Sequence, residues 1–219
     1  MRNMTGITTS PLDGFRTALM TEDRLAGLRA GLIGEGVLID GPCGPKPLVY
    51  ADYTASGRAL MQVERFVMEH VLPFYANSHT EASFCGGAMT RLRAAARATI
   101  ARLCGAGPEH AVIFCGAGAT AGINRLVALL GADDAETPVR VILGPYEHHS
   151  NILPWRECGA EVLCLQEVAT GGPDRAALAD ALETAPGRVI CAFSAASNIT
   201  GIVADVAAIT RQVKAPGAT

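Results

Sequence analysis

Val139-Arg140-Val141-Ile142-Leu143-Gly144-Pro145-Tyr146-Glu147-His148-His149-Ser150-Asn151-Ile152-Leu153-Pro154-Trp155 is the stretch whose reading decides the fold. An apolar run, Val139–Leu143, is closed by Gly144-Pro145, and a polar cluster then precedes a second apolar segment. The pattern predicts strand, loop and short helix. In open α/β sheets ligands bind beyond the carboxyl ends of strands, so the cluster of Glu147, His148, His149, Ser150 and Asn151 falls where a site would be. Histidines in such a loop also serve merely as helix caps or face water, and this stretch alone does not separate the two readings.

Working outward, the same alternation recurs. Downstream, Glu161–Leu165 and Arg188–Phe193 read as strands, with Asp174 and Asp205 capping helices whose inward residues include Leu178, Leu182, Val206, Ile209 and Val213. The strand end after Phe193 again carries polar groups, Ser194, Ser197, Asn198 and Thr200. Upstream, Ala111–Phe114 reads as a strand, followed by Cys115-Gly116-Ala117-Gly118-Ala119-Thr120 and a helix with Ile123, Leu126, Val127 and Leu130 on one face. A glycine loop that opens a helix lets an anion approach unpaired backbone N–H groups at the positive end of the helix dipole. The loop lacks the Gly-Lys-Ser/Thr of a Walker motif, and position 121 is alanine where a dinucleotide fingerprint needs glycine. Glycines there equally serve a tight turn that binds nothing.

Further upstream, Val63, Val67 and Val71 predict an amphipathic helix from Ala59 to Pro73, and Met89, Leu92, Ala96, Ile100 and Leu103 a second helix ending near Gly105. Between them Asn77-Ser78-His79-Thr80-Glu81 is a polar loop. Leu48-Val49-Tyr50-Ala51 is expected as a short strand, with Asp52–Gly57 as its terminal loop. Residues 1–47, with a short helix around Arg24–Leu32 and the Gly/Pro-rich Gly41–Pro47, are read as an extension and linker before a single region, 48–219. Strands alternating with helices imply a three-layer α/β fold with a largely parallel sheet.

Composition narrows the function classes. The 219 residues are 49% hydrophobic with net charge −3, enough for a substantial core and without the basic field that nucleic acid needs. The apolar runs are too short to span a bilayer, and the amino terminus is polar where a signal peptide would be apolar, so a cytoplasmic protein with no membrane partner is expected. In that setting the Asn-x-Thr triplets at Asn3 and Asn198 are expected to be unmodified. The seven cysteines form no Cys-x-x-Cys pair, so neither a disulfide framework nor a metal site is expected; each is expected to be buried and inert. Only two lysines occur, Lys46 and Lys214.

Taken together, Tyr50-Ala51-Asp52-Tyr53-Thr54-Ala55, Asn77-Ser78-His79-Thr80, Gly118-Ala119-Thr120-Ala121-Gly122-Ile123-Asn124, Glu147–Trp155 and Ser197-Asn198-Ile199-Thr200-Gly201 resemble the class V aminotransferase family of pyridoxal 5′-phosphate (PLP) enzymes, particularly its cysteine desulfurase-like branch. The resemblance covers Tyr50 to the end. It implies the first half of the large domain of a fold-type I enzyme acting on a small amino acid, and a homodimer when full length.

By the same resemblance, Gly118, Ala119 and Thr120 hold the cofactor phosphate, His148 stacks on the pyridine ring, and Asn198 hydrogen-bonds the ring's 3′ oxygen. Thr54, Ala55 and His79 are expected near the substrate. Ala119 departs from the family form, where a second threonine is frequent. The family's Schiff-base lysine and pyridine-nitrogen aspartate follow the Asn198 segment, as do its substrate arginine and desulfurase cysteine. Lys46 and Lys214 lie outside that context, so no catalytic residue is assigned, and the chain is expected to be an incomplete, inactive portion. The competing expectation is a non-catalytic α/β module that binds a phosphorylated ligand.

Overall fold

The computed structural model describes residues 11–20, 22–134 and 136–215; Asn3, and with it the first of the two triplets, lies outside the described residues. The chain divides into two compact units, one ending at Ile113 and the other beginning at Phe114.

In the first unit, helices α1 (Pro11–Leu19) and α2 (Arg24–Ala30) precede an antiparallel hairpin of β1 (Leu38–Gly41) and β2 (Gly44–Pro47). Asp23 caps α2 by accepting from the Ala26 N–H at 2.9 Å. The passage read as a linker is therefore ordered structure. Its turn reverses through Pro42-Cys43, and Gly44 adopts φ +85°, a conformation open to glycine at little cost. The strand expected at 48–51 is absent. Leu48 donates one hydrogen bond to the Val37 carbonyl, and the pairing ends there because β1 is already spent on residues 44–47.

The helix expected from Ala59 to Pro73 is broken. Helix α3 covers Met61–Phe66, residues Val67–Val71 form a wide π turn, and Leu72–Phe74 a tight 3-10 turn. Pro73 has no N–H to continue an α ladder, and Leu72 instead donates back five residues to the Val67 carbonyl. Helix α4 (Phe84–Leu103) follows, capped by Ser83, whose Oγ accepts from the Gly86 N–H at 3.0 Å.

The second unit is a small parallel α/β sheet in the order β4-β3-β5, with β3 at Val139–Leu143, β4 at Glu161–Cys164 and β5 at Arg188–Ala192. Ile142 pairs with Leu163 on one side and with Cys191 on the other. Successive side chains of β3 point to opposite faces. Val139, Val141 and Leu143 join Val127 of α5 (Gly118–Leu129) and Trp155 of α6 (Leu153–Glu157), whereas Ile142 joins Leu178 of α7 (Arg175–Glu183) and Ile209 of α8 (Val206–Lys214). Helices thus cover both faces. Val141, Ile142, Leu143, Trp155 and Leu178 are fully buried, each worth roughly 1.5–3 kcal/mol relative to exposure. Asp174 and Asp205 cap α7 and α8 as their sequence positions indicated.

Ala111–Phe114 forms no strand. A strand exists by pairing, and all three strands of this sheet are already accounted for without it. The cysteines also depart from expectation: Cys43, Cys104, Cys115 and Cys164 are exposed and none is fully buried. Apolar neighbours in sequence do not bury a residue that sits at a hairpin turn (Cys43), a helix end (Cys104) or an outer strand (Cys164).

Candidate active site at the carboxyl rim of the sheet

Strands β3 and β5 are parallel neighbours, so the loops after Leu143 and Ala192 leave the same end of the sheet. Helix α5 runs the other way. The carbonyl of Leu130, just past its last turn, accepts from Arg188 at the start of β5, which puts the beginning of α5 toward the carboxyl rim. There α5 packs against the 3-10 turn His149–Asn151 and against α6.

Gly118, Ala119 and Thr120 are the first three residues of α5, and all three are exposed. Ala117 precedes them and has no side chain able to cap the helix. The first N–H groups of α5 therefore lack the usual Ser, Thr or Asp acceptor and stand as donors at the positive end of the helix dipole. Gly116 and Gly118 adopt φ +130° and +67°. A Cβ on Gly116 would stand 2.9 Å from the Ala121 Cβ, whereas one on Gly118 would meet nothing within 4 Å. The loop is tight on its inner side and open on its outer side.

His148 is exposed and stands at the N-cap of the 149–151 turn. Its Nδ1 accepts from the Ser150 N–H at 3.2 Å and lies 3.0 Å from the Ser150 Oγ. A ring nitrogen that accepts carries no proton, so the backbone contact selects the tautomer with the proton on Nε2. The capping role foreseen as the bland alternative is thus present, and it fixes the ring while leaving it exposed. Asn198 is exposed in the loop after β5. That loop is closed by the Gly201 N–H donating to the Ser197 carbonyl at 3.1 Å, and the buried Ser197 Oγ accepts from the N–H groups of Ile199 and Thr200.

The remaining expected positions lie in the first unit. Thr54 and Ala55 are exposed in a loop held by Asp52, whose carboxylate accepts from the Ala55 N–H at 3.3 Å. His79 is exposed beside Ser78, whose carbonyl accepts from the Thr90 hydroxyl at 2.8 Å and whose hydroxyl accepts from Arg93 at 3.1 Å.

Glu147, Asn151 and Ser194, which the sequence places at strand ends without saying how they connect, tie the rim together. Glu147 accepts from the Ser194 N–H at 2.6 Å, the Ser194 hydroxyl at 2.8 Å and the Asn151 amide at 2.7 Å. Asn151 in turn accepts from the Trp155 indole N–H at 3.0 Å. On the other side Tyr146 donates to Glu167 at 2.5 Å and accepts from the Gly172 N–H at 2.8 Å, which links the β3 loop to the loop after β4. Desolvation, then the Glu167 hydrogen bond, raises the Tyr146 phenol above its ordinary pKa, so it stays a donor. The available signal was the spacing of Glu147, Asn151 and Trp155, each four residues from the next.

Among the described residues no cluster of His, Cys, Asp and Glu suits a metal ion, and no helix is long and apolar enough to cross a membrane.

Comparison with known proteins agrees with this architecture. Residues 49–219 match the family model described as aminotransferase class-V. A cysteine desulfurase of Serratia proteamaculans is 29% identical over 180 residues, 78% of this chain and 43% of that protein. A probable cysteine desulfurase of Staphylococcus aureus is 29% identical over 120 residues, 55% of this chain and 29% of that protein. The crystal structure of the cysteine desulfurase CsdA (S-sulfonic acid) from Escherichia coli superposes with a TM-score of 0.62 at 24% identity, covering 89% of this chain and 47% of that one. The chain thus spans less than half the length of these relatives. With 171 of its residues matched by one family model (49 to 219 inclusive), the chain belongs to the aminotransferase class-V family, whose members depend on pyridoxal phosphate.

Proposed function

We propose that this chain is the amino-terminal portion of the large domain of a fold-type I enzyme, of aminotransferase or cysteine desulfurase type, and that it contributes the phosphate- and ring-binding part of a PLP site. The observation that carries this reading is the start of α5, without a side-chain cap, packed beside the turn that His148 opens.

The residues present fit such a cofactor. A phosphate suits the free N–H groups of Gly118, Ala119 and Thr120, with the Thr120 hydroxyl as an additional donor, and the open outer side of Gly118 leaves room for it. Ala119 contributes through its backbone, so the missing second hydroxyl lowers the number of donors without removing the cradle. His148, held through Nδ1, offers a flat face for an aromatic ring. Asn198 supplies an amide donor for a phenolic oxygen. When bound, pyridoxal phosphate supplies an electron sink for amino-acid chemistry. Thr54, Ala55 and His79 are proposed to face the substrate, a small amino acid.

A second reading, a module that binds a phosphorylated ligand without catalysis, is favoured by one observation. Lys46 lies in β2 and Lys214 ends α8, and neither follows a strand at the sheet's carboxyl rim. Titration with pyridoxal phosphate, followed through Trp155 fluorescence, tests the site. Thr120→Ala and His148→Ala are each expected to weaken binding, the first by about tenfold or more, since a hydrogen bond to a charged group contributes about 1.5–3 kcal/mol. Unchanged affinity in both variants refutes the assignment. Equal binding of inorganic phosphate and pyridoxal phosphate, with His148→Ala silent, favours the second reading.

A further inference from the structure

We propose that Glu147 is a positioning residue that sets the His148 turn against the ends of β3 and β5 before any ligand arrives. As a statement about the cofactor site this rests on the reading above, although the clamp itself is a property of the ligand-free chain.

The geometry points to Glu147 because its two oxygens have three donors on two different elements. Oε1 accepts from the Ser194 backbone, and Oε2 accepts from both the Ser194 hydroxyl and Asn151. Ser194 lies two residues past the end of β5, and Asn151 closes the turn on which His148 is the N-cap. A single carboxylate therefore ties the strand end to the turn. Gly144 leaves room for this arrangement, because a Cβ there would stand 2.9 Å from both Glu147 Oε1 and the Phe193 ring. The Asn151 amide is oriented in turn: its nitrogen donates to Glu147 and its oxygen accepts from the fully buried Trp155.

This chain of donors and acceptors has one polarity, set by the three donors that converge on the Glu147 carboxylate. A carboxylate only accepts, so Asn151 must present its NH₂ to Glu147 and its oxygen to Trp155. In Glu147→Gln the amide oxygen can still accept from the Ser194 N–H, but the NH₂ then faces the Asn151 NH₂. Relief requires Asn151 to turn over, which sets its NH₂ against the Trp155 indole N–H and leaves a buried donor without a partner. In Glu147→Gln/Asn151→Asp the polarity closes again: the amide introduced at position 147 donates to one oxygen of the carboxylate introduced at position 151, and Trp155 donates to the other. Net charge is the same as in the parent.

Nuclear magnetic resonance of the 219-residue chain tests this, because Trp155 is the only tryptophan. In the wild type the Trp155 indole N–H and the Ser194 amide are expected to exchange slowly with solvent, and rapid exchange of both overturns the clamp. Glu147→Gln is expected to speed indole exchange about tenfold or more and to shift or broaden the His148 ring signals. The double variant is expected to return both to within about threefold of wild type on the same scale. Unmoved signals in Glu147→Gln overturn the proposal, as does a double variant perturbed as much as the single one. If Glu147→Gln does not fold, a folded double variant with restored signals supports the clamp and an unfolded one overturns it. Pyridoxal phosphate titration of the same proteins adds a separate arm. A wild type that does not bind refutes the cofactor reading and leaves the ligand-free test standing. Binding about tenfold weaker in Glu147→Gln and recovered in the double variant supports both, and binding indifferent to Glu147→Gln overturns its role at the site.

Discussion

The Cys191 thiol is half-buried at the end of β5 among residues of α7 and α8, and burial pushes its pKa up to about 11 from 9.0. A thiolate, not a thiol, attacks alkylating reagents, so at pH 8 only about one Cys191 in a thousand is reactive. Cys43, Cys104, Cys115 and Cys164 are exposed. Iodoacetamide at pH 8 followed by peptide mass spectrometry should label these four first and Cys191 last, with the difference erased in denaturant. The same shift has a stability consequence whose sign follows from proton linkage. The folded chain holds the Cys191 proton more tightly than the unfolded one, so this contribution is complete below about pH 9 and declines as pH rises toward about 11. Cys191→Ala should flatten that part of the stability profile, as measured by denaturant midpoints. At the rim, the sequence displayed the residues but concealed their connections. His148 stood out because an imidazole after a strand is rare enough to notice, whereas Glu147 acquires meaning only through Ser194, 47 residues away.

Elements were legible where one segment carries its own pattern and obscure where a partner decides. Val139–Leu143 and Arg188–Ala192 are strands because apolar side chains on both faces demand two covered sides, and the turn residues after them mark their ends. Residues 48–51 and 111–114 have comparable composition and form no strand, because a ladder needs a neighbouring strand and composition does not report one. The break at 67–74 was half legible: Pro73 announced it, but the wide turn upstream is a negotiated way of placing the carbonyls that Pro73 leaves. Pairing also sets the energetics of β3. Arg140 and Glu161 are register partners, joined by two parallel hydrogen bonds of 3.0 and 2.9 Å, and Arg140 further donates to the Ala181 carbonyl and the Thr184 hydroxyl. The Arg140 side chain is 14% exposed and that of Glu161 56%. Losing the exposed partner should therefore matter little and losing the buried one more: Glu161→Gln is expected to cost below about 1 kcal/mol, and Arg140→Ala about 1–3 kcal/mol because the Ala181 carbonyl and Thr184 lose a donor. Urea denaturation of both variants checks the asymmetry, and equal costs contradict it.

At the scale of the whole molecule, covalent cofactor chemistry depends on where the amines lie. Lys46 is flanked by Pro45 and Pro47 in β2, paired across the hairpin with Ile39. Lys214 is the last residue of α8, a helix that begins after the loop at the carboxyl end of β5 and packs through Ile209 and Val213 under the sheet. Lys214 lines one cavity with Cys191, Phe193, Ser194 and Ala195 at the end of β5, but from the last position of a helix and not from a loop that follows a strand. Covalent attachment of a cofactor aldehyde needs an amine presented to the ring, and neither Lys46, between two prolines in a hairpin strand, nor Lys214, at the end of a helix, lies in a loop after a strand of the parallel sheet. The chain by itself is therefore expected to turn over no amino acid and to form no specific covalent bond with pyridoxal phosphate, while still able to hold it through the start of α5. Borohydride reduction of a saturated sample, then peptide mapping, separates these outcomes: low, scattered labelling at Lys46 and Lys214 is expected. Stoichiometric labelling at Lys46 or Lys214, together with turnover, would make this chain catalytically sufficient.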